Sequence, residues 1–223
     1  MIRAVVFDMD GTLFDTERIY QVAWRAAARD FHMDEERIER AVEACVGRNP
    51  HDTLAYFEQN LSDVVDYETF VERRRVYYEQ QIDALGGIPL KCGVRELMTY
   101  LKQNGILIAL ATATRRERTL DNLQKTGLYD YFDAIITGDM VEKGKPHPET
   151  FLTAAKELGV APAECIGVED SFNGVRSISA SGMITVMVPD VKQPTPEIEA
   201  LLDYRCETLL DVRPILEQLN RAE

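Results

Sequence analysis

One apolar strand, Val5-Val6-Phe7, opens the chain, and nothing of its kind follows until about residue 106. A lone strand leaves its backbone N–H and C=O groups without partners and is not stable by itself. It must pair with strands encoded far downstream, so the stretch between them lies outside the sheet. From about Glu17 to Leu85 the apolar positions fall at helical spacing: Ile19, Val22, Ala23 and Ala26 on one face, Phe70, Val71, Tyr77, Tyr78 and Ile82 on another. This block reads as a bundle of about four helices, one of them opened by Pro50 after Gly47-Arg48-Asn49. Gly86-Gly87-Ile88-Pro89 then interrupts the pattern as a hinge or linker.

From Gly93 onward helix and strand alternate. Helices are predicted over 94–103, 117–125, 149–158 and 172–181, and strands over 106–111, 134–137, 165–168 and 185–188. Ile106-Leu107-Ile108-Ala109-Leu110-Ala111 is apolar throughout, as in a sheet covered on both faces. The expected fold is α/β: a central parallel sheet with helices on both faces, and a small all-α bundle inserted after the first strand. Residues 1–15 and 88–223 form the expected core, and 16–87 the inserted helical domain.

The charge narrows the partners. With 38 acidic against 25 basic residues the formal net charge is −13, which repels a phosphate backbone and disfavours nucleic acid. No apolar stretch approaches the roughly 18 residues of a membrane span, and Met1 leads straight into a strand without a leader pattern. A cytoplasmic location is expected. Cys45, Cys92, Cys165 and Cys206 are scattered without a Cys-x-x-Cys pair, and are expected as reduced thiols in or near packed interiors.

In a parallel sheet, ligands bind beyond the carboxyl ends of the strands. There the sequence places Asp8 and Asp10, then Thr112-Ala113-Thr114, then Glu169-Asp170, with Lys143-Gly144-Lys145-Pro146 before a helix. Asp8 and Asp10, at i and i+2, are expected to project near one point, where two carboxylates repel unless a cation or proton lies between them. Oxygen-only ligands suit Mg²⁺ better than zinc. Carboxylates, a hydroxyl with adjacent amides and a lysine are what a phosphoryl group on Mg²⁺ requires. Other phosphate and nucleophile motifs fit poorly: Pro146 stands where a P-loop needs Ser or Thr, and Ser171 lacks a nucleophile-elbow context.

These residues resemble the motifs of the haloacid dehalogenase superfamily, in particular its β-phosphoglucomutase-like and sugar phosphatase members with a small helical cap. Asp8-Met9-Asp10-Gly11-Thr12 is similar to the first motif, Thr112 to the second, Lys145-Pro146 to the third and Gly167-Val168-Glu169-Asp170-Ser171 to the fourth. The resemblance implies a Rossmann-like core, with Asp8 as the nucleophile that becomes an aspartyl-phosphate. It implies Asp10 as acid and then base, touching the Mg²⁺ through its backbone carbonyl. Asp8 and Asp170 would hold the metal, with Glu169 either a direct ligand or an outer partner. Thr112 and neighbouring amides, Ala113 among them, would hold phosphoryl oxygens, and Lys145 would balance charge.

Substrate choice is expected to fall to the cap, where Gly47, Arg48, Asn49 and His51 are the candidate contacts beside Phe14, Tyr20, Trp24 and the run Arg73-Arg74-Arg75. Trp24 and Tyr20 fit a helix core face, and the arginine run reads as a solvated surface. The mutase pattern has histidine where Tyr20 stands and arginine where Pro50 stands. The expected activity is therefore Mg²⁺-dependent hydrolysis of a small phosphorylated metabolite, a sugar phosphate by preference. A phosphosugar mutase is the alternative, and a non-catalytic phosphometabolite-binding protein a third reading. A monomer is expected, since no heptad seam is visible.

Overall fold

The structure, a computed structural model, describes residues 1–45 and 50–221, and for residues 50 and 51 the backbone alone. In chain order the elements are β1 (Ala4–Phe7), α1 (Glu17–Asp30), α2 (Glu35–Cys45), α3 (Pro50–Asn60), α4 (Tyr67–Ala84), α5 (Val94–Gln103), β2 (Leu107–Ala111), α6 (Arg116–Thr126), β3 (Ala134–Ile136), α7 (Glu149–Leu158), β4 (Cys165–Glu169), α8 (Phe172–Ser181), β5 (Ile184–Met187), α9 (Pro196–Glu199), β6 (Tyr204–Arg205) and α10 (Val212–Arg221). They divide into two compact units, Met1–Asp15 with Leu90–Glu223, and Thr16–Pro89. The second join lies at residue 90 rather than 88 because Leu90 pairs with Phe14 in an isolated bridge, which draws it into the first unit.

In the first unit six parallel strands lie in the order β3-β2-β1-β4-β5-β6. The N-terminal strand is central: Val5 pairs with Ile108 on one side and Ile166 on the other. Strand alternation sends Ala4 and Val6 to one face, where with Ala109 and Ala111 they pack against Phe151 and Ala154 of α7. On α5 the buried residues Val94, Leu97, Met98 and Leu101 recur at i, i+3, i+4 and i+7, one helical stripe that packs on β2. Beyond residue 188 the sequence reading assigns nothing, and the structure adds α9, β6 and α10. With two residues at the sheet edge, β6 is too short to show alternation.

In the second unit α1 to α4 enclose their own core. The Phe70 ring lies 4.6 Å from that of Trp24 and 5.1 Å from that of Phe57, with Ile38 and Leu61 buried beside them. Asp66 caps α4 by accepting the Thr69 N–H at 2.9 Å. Among the described residues no helix is long and apolar enough to cross a membrane.

Candidate active site

The chain leaves β1 for β2 and β3 on one side, then crosses to β4, β5 and β6 on the other. The connections part at β1, the place where a parallel sheet opens to a ligand. Asp8 lies one residue past β1, its N–H still in the ladder on the Val168 carbonyl at 3.0 Å. Its carboxylate is buried and meets Lys145, whose Nζ donates to Asp8 Oδ1 at 2.5 Å and to Glu169 Oε1 at 2.7 Å. Lys143, two positions earlier, is exposed, whereas Lys145 is 8% exposed. The loop delivers it inward because both its ends are tied. Glu149 accepts the N–H groups of Glu142 at 2.8 Å and Lys143 at 3.1 Å, and Ser177 Oγ donates to the His147 carbonyl at 2.7 Å.

Glu169, the last residue of β4, is held on both oxygens. Oε1 faces Lys145, and Oε2 accepts the N–H groups of Asp170 at 2.9 Å and Ser171 at 2.7 Å, where α8 begins. Asp170 turns the other way, its Oδ1 accepting from Thr12 Oγ1 at 2.8 Å. Gly11 makes room for it: with φ +87° it takes a left-handed conformation, and a Cβ there would fall 2.4 Å from Asp170 Oδ2. One carboxylate oxygen each from Asp8, Glu169 and Asp170 lie within 4.8 Å of one another.

The Asp10 carboxylate is outside that cluster. Strand alternation ends with β1 at Phe7, and Asp10 bridges to Phe14 instead. Its Oδ2 accepts from Thr114 Oγ1 at 2.8 Å, in the turn after β2. In that turn Thr112 is buried, its N–H bound to the Ile136 carbonyl at 3.0 Å and its Oγ1 accepting the Thr114 N–H at 3.1 Å. The amides of Thr112 and Thr114 are therefore engaged within the protein. Ala113 is exposed, and its carbonyl is approached so closely by Gly138 that a Cβ there would lie 2.2 Å away.

Burial pushes the Asp8 carboxyl up to about 8; Lys145 opposes this, and Glu169 and Asp10 add to it. Burial also works against the Lys145 ammonium, but Asp8 and Glu169 outweigh it and raise its pKa. Three carboxylates cluster and two of them share one ammonium, so the fully ionised group carries a net charge of −2. Hard oxygen donors in that charge state fit a divalent cation such as Mg²⁺.

In the second unit, Gly47, Arg48 and Asn49 lie outside the described residues, and His51 belongs to α3 by its backbone. Phe14 and Trp24 are buried in packing. Arg73 and Arg75 are exposed as a solvated face requires, but Arg74 is 8% exposed. It donates to Tyr20 Oη at 2.7 Å, with its guanidinium 4.3 Å from the Tyr20 ring centre. Helical period explains this: Phe70, Arg74 and Tyr78 share one stripe of α4. Cysteine placement also departs from expectation, for Cys165 and Cys206 are buried but Cys92 is exposed. Sequence reasoning assigned no role to Thr12 or Thr114; their nearness to Asp10 and Thr112 in the chain was the available signal.

Residues 2–182 match the haloacid dehalogenase-like hydrolase family. The phosphorylated carbohydrates phosphatase of Thermotoga maritima is 33% identical over 222 residues, covering 99% of this chain and 100% of that one. The β-phosphoglucomutase of Bacillus subtilis is 30% identical over 191 residues, covering 84% and 83%. The crystal structure of β-phosphoglucomutase from Clostridium difficile superposes with a TM-score of 0.76 at 28% identity, covering 100% of this chain and 99% of that one.

Proposed function

This chain belongs to the haloacid dehalogenase-like hydrolase family and is a phosphatase of that family, and from that premise we propose that it hydrolyses a small phosphorylated carbohydrate through transient esterification of Asp8. The observation that carries the reading is the buried Lys145 ammonium shared between Asp8 and Glu169, with an Asp170 oxygen in the same cluster. A structural ion pair needs one carboxylate per ammonium; three leave a charge deficit that burial makes costly, and a cation offsets it where, in the metal-free fold, a proton on Asp8 does. Asp8 and Asp170 would hold that cation, Mg²⁺, with Glu169 beside them and the Asp10 carbonyl as a further oxygen donor. When bound, it would keep Asp8 ionised and neutralise phosphoryl charge.

The residues then divide the work. Asp8 attacks phosphorus as the ester P–O bond breaks, and Asp10 gives its proton to the departing alkoxide oxygen. Asp10 next takes a proton from the water that attacks the aspartyl-phosphate, which releases inorganic phosphate and restores both carboxyl groups. Lys145 and the Thr112 hydroxyl hold the phosphoryl oxygens as negative charge builds.

Hydrolysis is favoured over phosphosugar mutation by what occupies the mutase positions. Tyr20 is committed to Arg74 inside its own unit, and Pro50 opens α3. The test is a panel of hexose and hexitol phosphates with Mg²⁺, following free phosphate and isomerised ester separately. Phosphate release that is abolished in a folded Asp8→Asn variant is the expected result. Isomer formation without phosphate would reverse the assignment to a mutase, and turnover retained by Asp8→Asn would rule out the aspartyl ester.

A further inference from the structure

Thr114 is fixed on every side but one. Its N–H donates to Thr112 Oγ1 at 3.1 Å, and its carbonyl accepts the Gly138 N–H at 3.0 Å and Thr119 Oγ1 at 3.4 Å. Those tethers fix its backbone, and its hydroxyl donates to Asp10 Oδ2, 104 positions earlier, at 2.8 Å. Thr114 stands one residue before the N-cap of α6, the position whose side-chain oxygen commonly serves a helix start. Here the N-cap of α6 is Arg115, which has no side-chain cap, and the Arg116 N–H is taken by Asp139 Oδ1 at 3.0 Å. The hydroxyl is thus spent on Asp10 rather than on α6.

We infer that Thr114 is a positioning residue for the proton that Asp10 gives to the leaving group, an inference that rests on the phosphatase reading above. A hydroxyl donated to Oδ2 fixes the orientation of the Asp10 carboxyl group toward the reacting ester. In the first step the proton leaves the Asp10 carboxyl group for the alkoxide oxygen as the P–O bond to the carbohydrate breaks and the bond from Asp8 to phosphorus forms. In the second, the Asp10 carboxylate takes one proton from water as the oxygen of that water bonds to phosphorus and the Asp8–phosphorus bond breaks. Throughout, the Thr114 proton stays on its own oxygen.

The same residue also sets the phosphoryl anchor. Because the Thr114 N–H occupies a lone pair of Thr112 Oγ1, the Thr112 hydroxyl proton is free to point at a phosphoryl oxygen. One turn therefore orients the group that grips phosphate through its backbone, and the group that moves protons through its side chain. The approach of Gly138 to Ala113 packs the turn from behind.

The test compares the wild type, Thr114→Val and Thr114→Ser on a series of aryl phosphates running from p-nitrophenyl to p-methoxyphenyl phosphate. Valine keeps the branched shape and the backbone N–H but removes the hydroxyl. Thr114→Val is expected to lower kcat about tenfold on the poorest leaving group, and little on p-nitrophenyl phosphate, which departs without a proton. KM should hold nearly constant and Thr114→Ser should restore the rate. In an Asp10→Asn background, Thr114→Val should add no further loss. A uniform loss across the series, or an equal loss in the Asp10→Asn background, overturns the assignment. Should Thr114→Val not fold, Thr114→Ala is read by the same criteria. A wild type inert on every ester with Mg²⁺ would sink the phosphatase reading itself, whereas parallel leaving-group slopes in an active wild type and Thr114→Val sink only this one.

Discussion

Lys145 Nζ lies 2.5 Å from Asp8 Oδ1, a buried contact between residues 137 positions apart. The same ammonium serves Glu169 at 2.7 Å, so one charge keeps two buried carboxylates in place at the end of β1 and β4. Its removal acts on both catalysis and folding.

Lys145→Met should cut turnover roughly a hundredfold or more, since a fixed charge is lost where phosphoryl charge builds. It should also cost about 3 kcal/mol of stability, the usual penalty for stripping one partner from a buried ion pair, reduced as Asp8 takes up a proton. Steady-state kinetics and urea unfolding of the same preparation check the two effects.

The raised pKa of Asp8 couples the metal to pH. In the metal-free fold Asp8 is shifted from 3.8 to about 8, so the folded chain holds that proton more tightly than the unfolded one. The resulting stabilisation is complete below the unfolded value and is lost as pH rises through the folded one. A cation bound to Asp8 displaces this proton, so Mg²⁺ should raise Tm more at about pH 8.5 than at about pH 5.5. Equal Tm gains at the two pH values would contradict a metal site on Asp8.

Gly11→Ala should separate the metal site from the rest of the fold. Its left-handed φ of +87° disfavours alanine by about 1–2 kcal/mol, and the new methyl group would push into Asp170. The Mg²⁺-dependent gain in Tm should shrink markedly, with the far-ultraviolet dichroism of the fold retained. An undiminished Mg²⁺ response would place the cation away from Asp170.

Thiol labelling of the native protein tests the corrected cysteine assignment. Burial pushes the Cys165 and Cys206 thiols up to about 11, while Cys92 is exposed. Iodoacetamide should therefore label Cys92 before either buried residue, as peptide mass mapping would show.

Much of this molecule is readable locally. The bounds of α5, α7 and α8 coincide with the spans 94–103, 149–158 and 172–181 expected from apolar spacing, because each helix shows the sheet one clear stripe. The edge strand β6 and the helices around it escaped, being short or late in the chain with no strand pattern to anchor them. Arg74 escaped for another reason: three consecutive arginines look alike in composition, and only their angular positions on α4 separate the buried one from its exposed neighbours.

Local pattern alone determined that a lone N-terminal strand joins a parallel sheet across an inserted helical bundle, and that chemistry-bearing residues follow the strands. The tertiary structure decided the partners: Lys145 with Asp8, Thr12 with Asp170, and Thr114 with Asp10 rather than with α6. Periodicity records which face of an element a side chain occupies, a property of neighbours in the chain. Which groups meet across the sheet depends on register and on loop tethers such as Glu149 and Ser177, which are set only when distant segments pack.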